Sequence, residues 1–272
     1  MKLTLDSLRI DAERVERYIV SFIREKVREA GAEGGVLGLS GGVDSSTTAY
    51  LVVRALGRDK VMGLIMPDKR TTPEEDLKDA VNVAERLGIE YHIVDITPIY
   101  DTLSNTIPIY DPRNVKANGN IRARTRMIIL YYYANTLGRM VIGTGDRSEI
   151  LIGYFTKYGD GGVDILPLGC LYKSQVRQMA LYLGVPRRIA LKPSSPRLWP
   201  GHEAEKELGL RYEEVDLILH GMIDLGMKVE EVAEATGIGL EKILKVKSMM
   251  ERSRHKREMP PIPRVPGLNE LG

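Results

Sequence analysis

The stretch Gly34-Gly35-Val36-Leu37-Gly38-Leu39-Ser40-Gly41-Gly42-Val43-Asp44-Ser45-Ser46 decides the fold. Its apolar run at 36–39 predicts a strand, the Ser-Gly-Gly at 40–42 a turn, and the residues from about Asp44 onward a helix. Glycines let the backbone approach a ligand closely, and a helix start presents free N–H groups and a positive dipole end. The natural ligand is a phosphate, for which the hydroxyls of Ser40, Ser45 and Ser46 are further donors.

This turn differs from the two commonest phosphate loops. No Gly-Lys-Ser/Thr follows its glycines, and the Gly-x-Gly-x-x-Gly pattern is absent from it. The Ser-Gly-Gly-Val-Asp-Ser-Ser at 40–46 instead resembles the pyrophosphate loop of the ATP pyrophosphatases. That resemblance implies that ATP is cleaved between its α- and β-phosphates and that a substrate oxygen is adenylated. The alternative is a plain glycine turn before a helix.

Composition and charge narrow the class of protein. The 272 residues suffice for one large α/β domain, and a net charge of +2 gives no sign of a nucleic-acid surface. No apolar run reaches the roughly 18 residues of a membrane span, and the charged start argues against a signal peptide. The single Cys170 excludes an internal disulfide and a four-cysteine metal site. We expect a cytoplasmic protein with one domain over 1–272, a helical extension over about 205–258 and a proline-rich tail at 259–272.

Strands and helices alternate through the first half of the chain. Apolar runs at 61–66, 89–94 and 140–143 follow the first strand, with helical segments between them. This alternation predicts a parallel sheet covered by helices on both faces. Ligands in such sheets bind at the carboxyl ends of the strands.

A helix predicted over 118–137 is apolar on every side in its middle, from Met127 to Ala134. A helix that is apolar all round must be buried all round. We expect a homodimer in which this helix packs against its copy. The alternative is a helix buried deep within a monomer.

A second glycine turn, Gly143-Thr144-Gly145-Asp146-Arg147-Ser148-Glu149, follows the fourth strand. Thr144 can hydrogen-bond a nucleotide, and Glu149 lies about one turn into the next helix. Asp44 and Glu149 would supply the hard oxygen ligands that suit Mg²⁺ bound to ATP phosphates. Lys173 begins a later helix, where its charge opposes the dipole unless a phosphate neutralises it. The alternatives are an acid that stabilises the helix start and a solvated lysine.

Three irregular stretches complete the candidate site. Residues 153–167 are rich in glycine, aromatic and acidic residues, and 191–201 carry three prolines and the only Trp. Long ordered loops are usually functional, and we expect both to close over nucleotides. The basic residues 254–257 form either a clamp on an anionic substrate or a solvated helix end.

Taken in order, these motifs resemble the NAD synthetases of the short, ammonia-dependent type. They are Ser-Gly-Gly-Val-Asp-Ser-Ser at 40–46, Gly-Asn-Ile-Arg-Ala-Arg-Thr-Arg-Met at 119–127, Gly-Thr-Gly-Asp-Arg-Ser-Glu at 143–149, the aromatic and glycine-rich stretch at 153–164, Leu-Trp-Pro-Gly at 198–201 and Arg-His-Lys-Arg at 254–257. The resemblance implies a three-layer α/β/α fold with a five-stranded parallel sheet in the order 3-2-1-4-5, plus C-terminal helices. It also implies amidation of deamido-NAD with ammonia and ATP, giving NAD, AMP and pyrophosphate through an NAD-adenylate.

The same resemblance implies roles for particular residues. Mg²⁺ would be held by Asp44 and Glu149, and Lys173 and Asp164 are the catalytic candidates. Ammonium must also lose a proton before it attacks, and from that chemistry we expect an acid of the 153–164 loop, Asp160 or Asp164, to assist. This chain departs from the usual pattern with Asp146 for Asn, His202 for Gln and Ala204 for Asp. ATP would contact Gly38, Leu39, Ser40, Gly41, Gly42, Val43, Asp44, Ser45, Thr144, Lys173 and Ser195, and deamido-NAD would contact Arg124, Lys157, Asp164, His255 and Lys256.

Two rival interpretations stay open at this stage. Another ATP pyrophosphatase, acting on tRNA or a sulfur carrier, would predict a Cys-x-x-Cys pair or a strongly basic surface, and the sequence has neither. A non-catalytic nucleotide-binding regulator would not need Asp44, Glu149 and Lys173 together.

Overall fold

The computed structural model describes residues 2–263, so most of the predicted proline-rich tail lies outside the described residues. The strands are β1 Gly35–Gly38, β2 Val61–Ile65, β3 Glu90–Ile93 and β4 Met140–Val141. The α-helices are α1 Ala12–Glu29, α2 Val43–Leu56, α3 Glu74–Leu87, α4 Thr97–Thr106, α5 Val115–Thr136, α6 Arg147–Ile152, α7 Lys173–Leu183, α8 Arg187–Ala190, α9 Ala204–Leu208, α10 Tyr212–Leu219, α11 Val229–Thr236 and α12 Leu240–Arg252.

The four strands form one parallel sheet in the order β3-β2-β1-β4. Val36 of β1 lies opposite Met62 of β2 and Val141 of β4. Successive residues of a strand point to opposite faces. Leu37 therefore packs in the cluster that includes α1, α2 and α7, while Val36 packs in the one that includes α5. The predicted parallel sheet between two helical layers is confirmed.

The predicted count of five strands is wrong for the described residues. At the fifth position only one residue, Ile165, makes a parallel bridge, to Ile142 beyond β4. The neighbouring Asp164 also uses its carboxylate, rather than a backbone carbonyl, to accept the Val141 N–H at 2.7 Å. A side chain thus takes over a hydrogen bond that a fifth strand would supply, and the ladder does not extend.

The C-terminal helices form a third apolar cluster beside the sheet domain. Tyr212 and Val215 of α10 and Ile243 of α12 are fully buried in it, together with Tyr172 just before α7. Because Tyr172 directly precedes α7, this cluster packs against the region where α7 begins. No helix within residues 2–263 has the length and apolar character needed to cross a membrane.

Helix α5 has two different faces. Ala123 and Ala134 are buried, whereas Ile128 is 62% and Tyr132 is 71% exposed. The alternative of a helix buried deep within a monomer is therefore wrong for the described residues, and the homodimer stays a prediction. The outer apolar face of this helix is uncovered because the described chain places no element over it.

Candidate active site

The turn between β1 and α2 is shaped for close approach of a ligand. Gly41 has a φ of +74°, and a β-carbon at that position would overlap the carbonyl oxygen of Asp76. The Ser40 N–H donates to Ser45 Oγ at 3.2 Å, and the Ser46 hydroxyl donates to the Gly42 carbonyl at 2.7 Å. The turn is thus fixed by its own hydroxyl groups, with the start of α2 directed at the carboxyl edge of the sheet.

The turn after β4 lies beside the first one because β4 pairs with β1. Asp146 caps α6: its carboxylate accepts the Glu149 N–H at 2.8 Å, and the Glu149 carboxylate reaches back to the Asp146 N–H at 3.4 Å. This reciprocal cap fixes the first turn of α6. Glu149 is thereby placed at the same edge of the sheet as Asp44.

Lys173 joins the two turns. Its side chain is fully buried, and its Nζ lies 2.8 Å from Asp44 Oδ2, 2.9 Å from Asp146 Oδ2 and 2.9 Å from Glu149 Oε1. Burial disfavours the charged ammonium, but the three carboxylates outweigh burial and hold the pKa of Lys173 well above its ordinary value. The lysine that the sequence placed near a phosphate lies here among carboxylates.

The carboxylates of this cluster carry surplus negative charge. Burial raises the pKa of Asp146 to about 6 and that of Glu149 to about 8, with the Lys173 ammonium opposing both shifts. One oxygen of Asp44 is buried without a hydrogen-bond partner among the described residues. Three carboxylates facing one ammonium are short of positive charge, which is the condition a divalent cation relieves.

The predicted Mg²⁺ ligands fit this picture in part. Among the described residues, no three or more His, Cys, Asp or Glu side chains are already arranged around one metal position. Asp44 and Glu149 are nevertheless neighbours on one ammonium. Two carboxylates supplemented by phosphate oxygens are the kind of set in which Mg²⁺ is usually held. The donor chemistry therefore fits a cation that arrives with a nucleotide.

A cavity of about 690 Å³ opens beside the cluster. Its size is in the range of ligand-binding clefts. Asp160 also lines it and accepts the Thr156 N–H at 2.8 Å. Of the residues that the sequence assigned to ATP, all but the buried Lys173 line this cavity: Gly38, Leu39, Ser40, Gly41, Gly42, Val43, Asp44, Ser45, Thr144 and Ser195.

The loop 192–203 covers part of the cavity and is tied to α3. Lys192 Nζ lies 2.6 Å from Asp76 Oδ1 and 2.8 Å from Asp79 Oδ2, and Arg197 Nε lies 2.7 Å from Asp76 Oδ2. Both carboxylates are nearly fully buried, and Asp76, Lys192 and Arg197 line the cavity. Within the loop, the Ser195 hydroxyl donates to the His202 carbonyl. The loop is therefore held by ion pairs at the cavity wall.

The residues assigned to deamido-NAD are divided by the structure. Lys256 lines the cavity and donates to the carbonyls of Gly153 and Phe155, each at 2.7 Å. Elsewhere Arg124 Nη2 donates to the Lys157 carbonyl at 3.3 Å, and Lys157 Nζ to the His255 carbonyl at 2.6 Å.

Asp164 lies apart from both groups. Its carboxylate accepts the Tyr131 hydroxyl at 3.0 Å and the Val141 N–H at 2.7 Å. Asp164 is absent from the lining of the cavity, unlike the other proton-acceptor candidate, Asp160.

The cavity wall contains a group of polar side chains that the sequence did not indicate. The Tyr154 hydroxyl donates to Glu207 Oε2 at 2.8 Å, and His202 Nε2 lies 2.8 Å from the same oxygen. The Trp199 ring stacks on His202 with 3.4 Å between ring centroids. The residue types of the 198–202 stretch were the only signal, and nothing in the sequence connected them with Glu207.

A glycine turn at a strand end, set beside carboxylates and a cleft of this size, is an arrangement for holding nucleotide phosphates. The fold and site thus define an α/β enzyme that binds a nucleotide. The chain belongs to the NAD synthase family, whose sequence model matches residues 15–260.

Named relatives and solved structures agree with that membership. The chain is 57% identical to the NH(3)-dependent NAD(+) synthetase of Hyperthermus butylicus over 97% of its length and 95% of the relative's. An NMN synthetase structure from Francisella tularensis matches with a TM-score of 0.84 and 34% identity, over 94% of this chain and all of that one. The NH3-dependent NAD synthetase of Campylobacter jejuni, in complex with a nitrate ion, matches with a TM-score of 0.79 and 30% identity over the same shares.

Proposed function

We propose that the protein amidates deamido-NAD with ammonia, consuming ATP and releasing NAD, AMP and pyrophosphate. It is a ligase that forms a carbon–nitrogen bond, in keeping with its family and with a 57% identical relative of that activity. The observation that carries the proposal is the meeting of Asp44 and Glu149, from two separate turns, on the ammonium of Lys173 beside the cavity.

The chemistry has two steps. The carboxylate of the pyridine ring attacks the α-phosphorus of ATP, which forms an acyl-adenylate and expels pyrophosphate. Ammonia then attacks the acyl carbon, the amide forms, and AMP leaves. Both steps depend on positioning and on neutralising charge more than on a protein nucleophile. The N–H groups and hydroxyls of the turn at 40–46 bind the phosphates, and the loop at 192–203 excludes water from the adenylate.

A Mg²⁺ ion would be held by Asp44 and Glu149. Bound there with ATP, it would neutralise charge on the phosphates and favour departure of pyrophosphate. Lys173 fixes the two carboxylates in place and contributes the second positive charge. Ser195, Thr144 and the residues from Gly38 to Ser45 are proposed to contact ATP directly.

Ammonium must lose a proton before it can attack. Of the two acids considered from the sequence, Asp160 lines the cavity, while both oxygens of Asp164 accept hydrogen bonds from Tyr131 and Val141. We assign the proton-accepting role to Asp160. Asp160→Asn is expected to lower kcat/KM for ammonium more than Asp164→Asn does; equal values for the two variants would reject this assignment.

We further propose a homodimer through the outer face of α5. Ile128 and Tyr132 on that face are exposed, and so is Ile93 on the adjacent edge strand β3. The Tyr133 hydroxyl on α5 is hydrogen-bonded to His92 Nδ1 on β3 at 2.9 Å. Ile93, Ile128 and Tyr132 therefore lie on adjoining elements. Arg124, Lys157 and His255 lie outside the described cavity, and we propose that they contact the dinucleotide where two subunits meet. A monomer mass from light scattering at micromolar concentration would reject the proposed dimer.

The likeness to an NMN synthetase supplies a second candidate substrate, the deamidated mononucleotide. A coupled assay with ATP, Mg²⁺ and ammonium, run with each substrate in turn, separates the two. The proposal expects a higher kcat/KM for the dinucleotide. Faster turnover of the mononucleotide would reassign the substrate, and ATP binding without pyrophosphate release would favour a regulator.

A further inference from the structure

Asp216 lies on α10, in the C-terminal region, yet its carboxylate is bonded to the active-site turns. The side chain is fully buried. Its Oδ1 accepts the Ser148 hydroxyl at 2.5 Å, and its Oδ2 accepts the Ser174 N–H at 2.7 Å. Ser148 Oγ in turn accepts the Lys173 N–H at 3.0 Å. One carboxylate therefore joins the first turn of α6 to the first turn of α7.

Tyr212 lies one helical turn before Asp216 and reaches the same lysine. Its ring centroid is 5.0 Å from Lys173 Nζ, which is within the range of a cation–π interaction. The residue is fully buried, and its hydroxyl has no hydrogen-bond partner among the described residues. Helix α10 thus contacts the Lys173 ammonium through Tyr212, and it reaches the Lys173 backbone indirectly, because Asp216 bonds Ser148, which accepts the Lys173 N–H.

We propose that Asp216 is a positioning residue for catalysis, which fixes the start of α7 so that the Lys173 ammonium meets Asp44 and Glu149. The inference rests on the proposed function and makes the C-terminal region part of the catalytic apparatus. A buried carboxylate is costly unless it is fully bonded, so packing alone does not account for this residue. Its charge at the first turn of α7 also favours that helix start.

The test compares two substitutions on α10. Asp216→Asn keeps the shape but replaces one acceptor oxygen with a donor, so kcat is expected to fall about 10- to 100-fold. The KM values for ATP and deamido-NAD are expected to change less than about twofold. Glu213→Gln is the matched control, because Glu213 is 30% exposed and pairs with Arg177 at 2.7 Å, away from Lys173. The control is expected to retain the wild-type kcat, and circular dichroism at the assay temperature verifies that both variants are folded.

A second measurement does not depend on turnover. The free energy of unfolding is measured for Asp216→Asn, Lys173→Met and the double variant. Because Asp216 acts through Lys173, the two losses are expected to be clearly less than additive. Full additivity, or a folded Asp216→Asn enzyme with the wild-type kcat, would overturn the inference. A wild-type enzyme that makes no NAD would instead overturn the proposed function, while the unfolding cycle would still show whether Asp216 acts through Lys173.

Discussion

Replacing Lys173 by Met removes the ammonium that pairs with the carboxylates of Asp44, Asp146 and Glu149. The lysine is fully buried, and each of its three ion pairs is 2.8 or 2.9 Å long. Removing one partner of a buried ion pair costs about 3–5 kcal/mol, because uncompensated charge stays behind. For a domain of this size that corresponds to a loss of roughly 10 °C in Tm.

The assay is thermal or guanidinium unfolding of the variant and the wild type, first with EDTA and then with Mg²⁺. Because a cation that binds only the folded state stabilises it, Mg²⁺ is expected to raise the stability of Lys173→Met more than that of the wild type. Lys242→Met is the matched control, because Lys242 is 39% exposed and pairs with Glu214 at 2.7 Å. Its loss is expected to lower the free energy of unfolding by about 1 kcal/mol or less.

Two results would refute this reasoning. One is a Lys173→Met protein whose unfolding midpoint in EDTA equals that of the wild type, since the carboxylates would then need no neutralising charge. The other is a larger stabilisation of the wild type than of the variant by Mg²⁺, since the cation would then not bind at the carboxylates that the substitution leaves unpaired.

Three further predictions concern pH, the loop and assembly. The folded-state pKa of Glu149, about 8, is above the ordinary value of 4.5, so its contribution to stability is present in acid and is lost as the pH rises towards 8. In EDTA, Glu149→Gln should therefore gain stability relative to the wild type as the pH is raised; a pH-independent difference would contradict this. Asp76→Asn should release the loop at 192–203 and speed tryptic cleavage after Arg197, and ATP should slow it; wild-type cleavage rates would show that the ion pairs do not hold the loop. Tyr132→Glu should turn the dimer into a folded monomer in light scattering, and an intact dimer would place the interface elsewhere.

The sheet and the two turns were predictable because local patterns encode them. Apolar runs between glycine turns mark buried parallel strands, and the resemblance placed β1 beside β4, so that Asp44 and Glu149 were expected to be neighbours. The absence of a regular fifth strand could not be predicted from the sequence. The hydrogen bond from the Val141 N–H to the Asp164 carboxylate forms only in the folded chain.

The surroundings of Lys173 could not be read from the chain. Its partner Asp44 is 129 residues away, and the proposed positioning residue Asp216 belongs to none of the motifs. Local sequence suggested a phosphate for this lysine because a cation at a helix start lacks compensation nearby. For α5, an apolar composition predicts burial but does not say whether the same chain or a second copy provides the cover.

Product analysis of the purified protein with ATP, Mg²⁺, ammonium and deamido-NAD tests the amidation itself. NAD, AMP and pyrophosphate are expected in equal amounts, and no NAD when ammonium is left out. Release of ADP and phosphate, or AMP formation without any amide product, would contradict the proposed amidation.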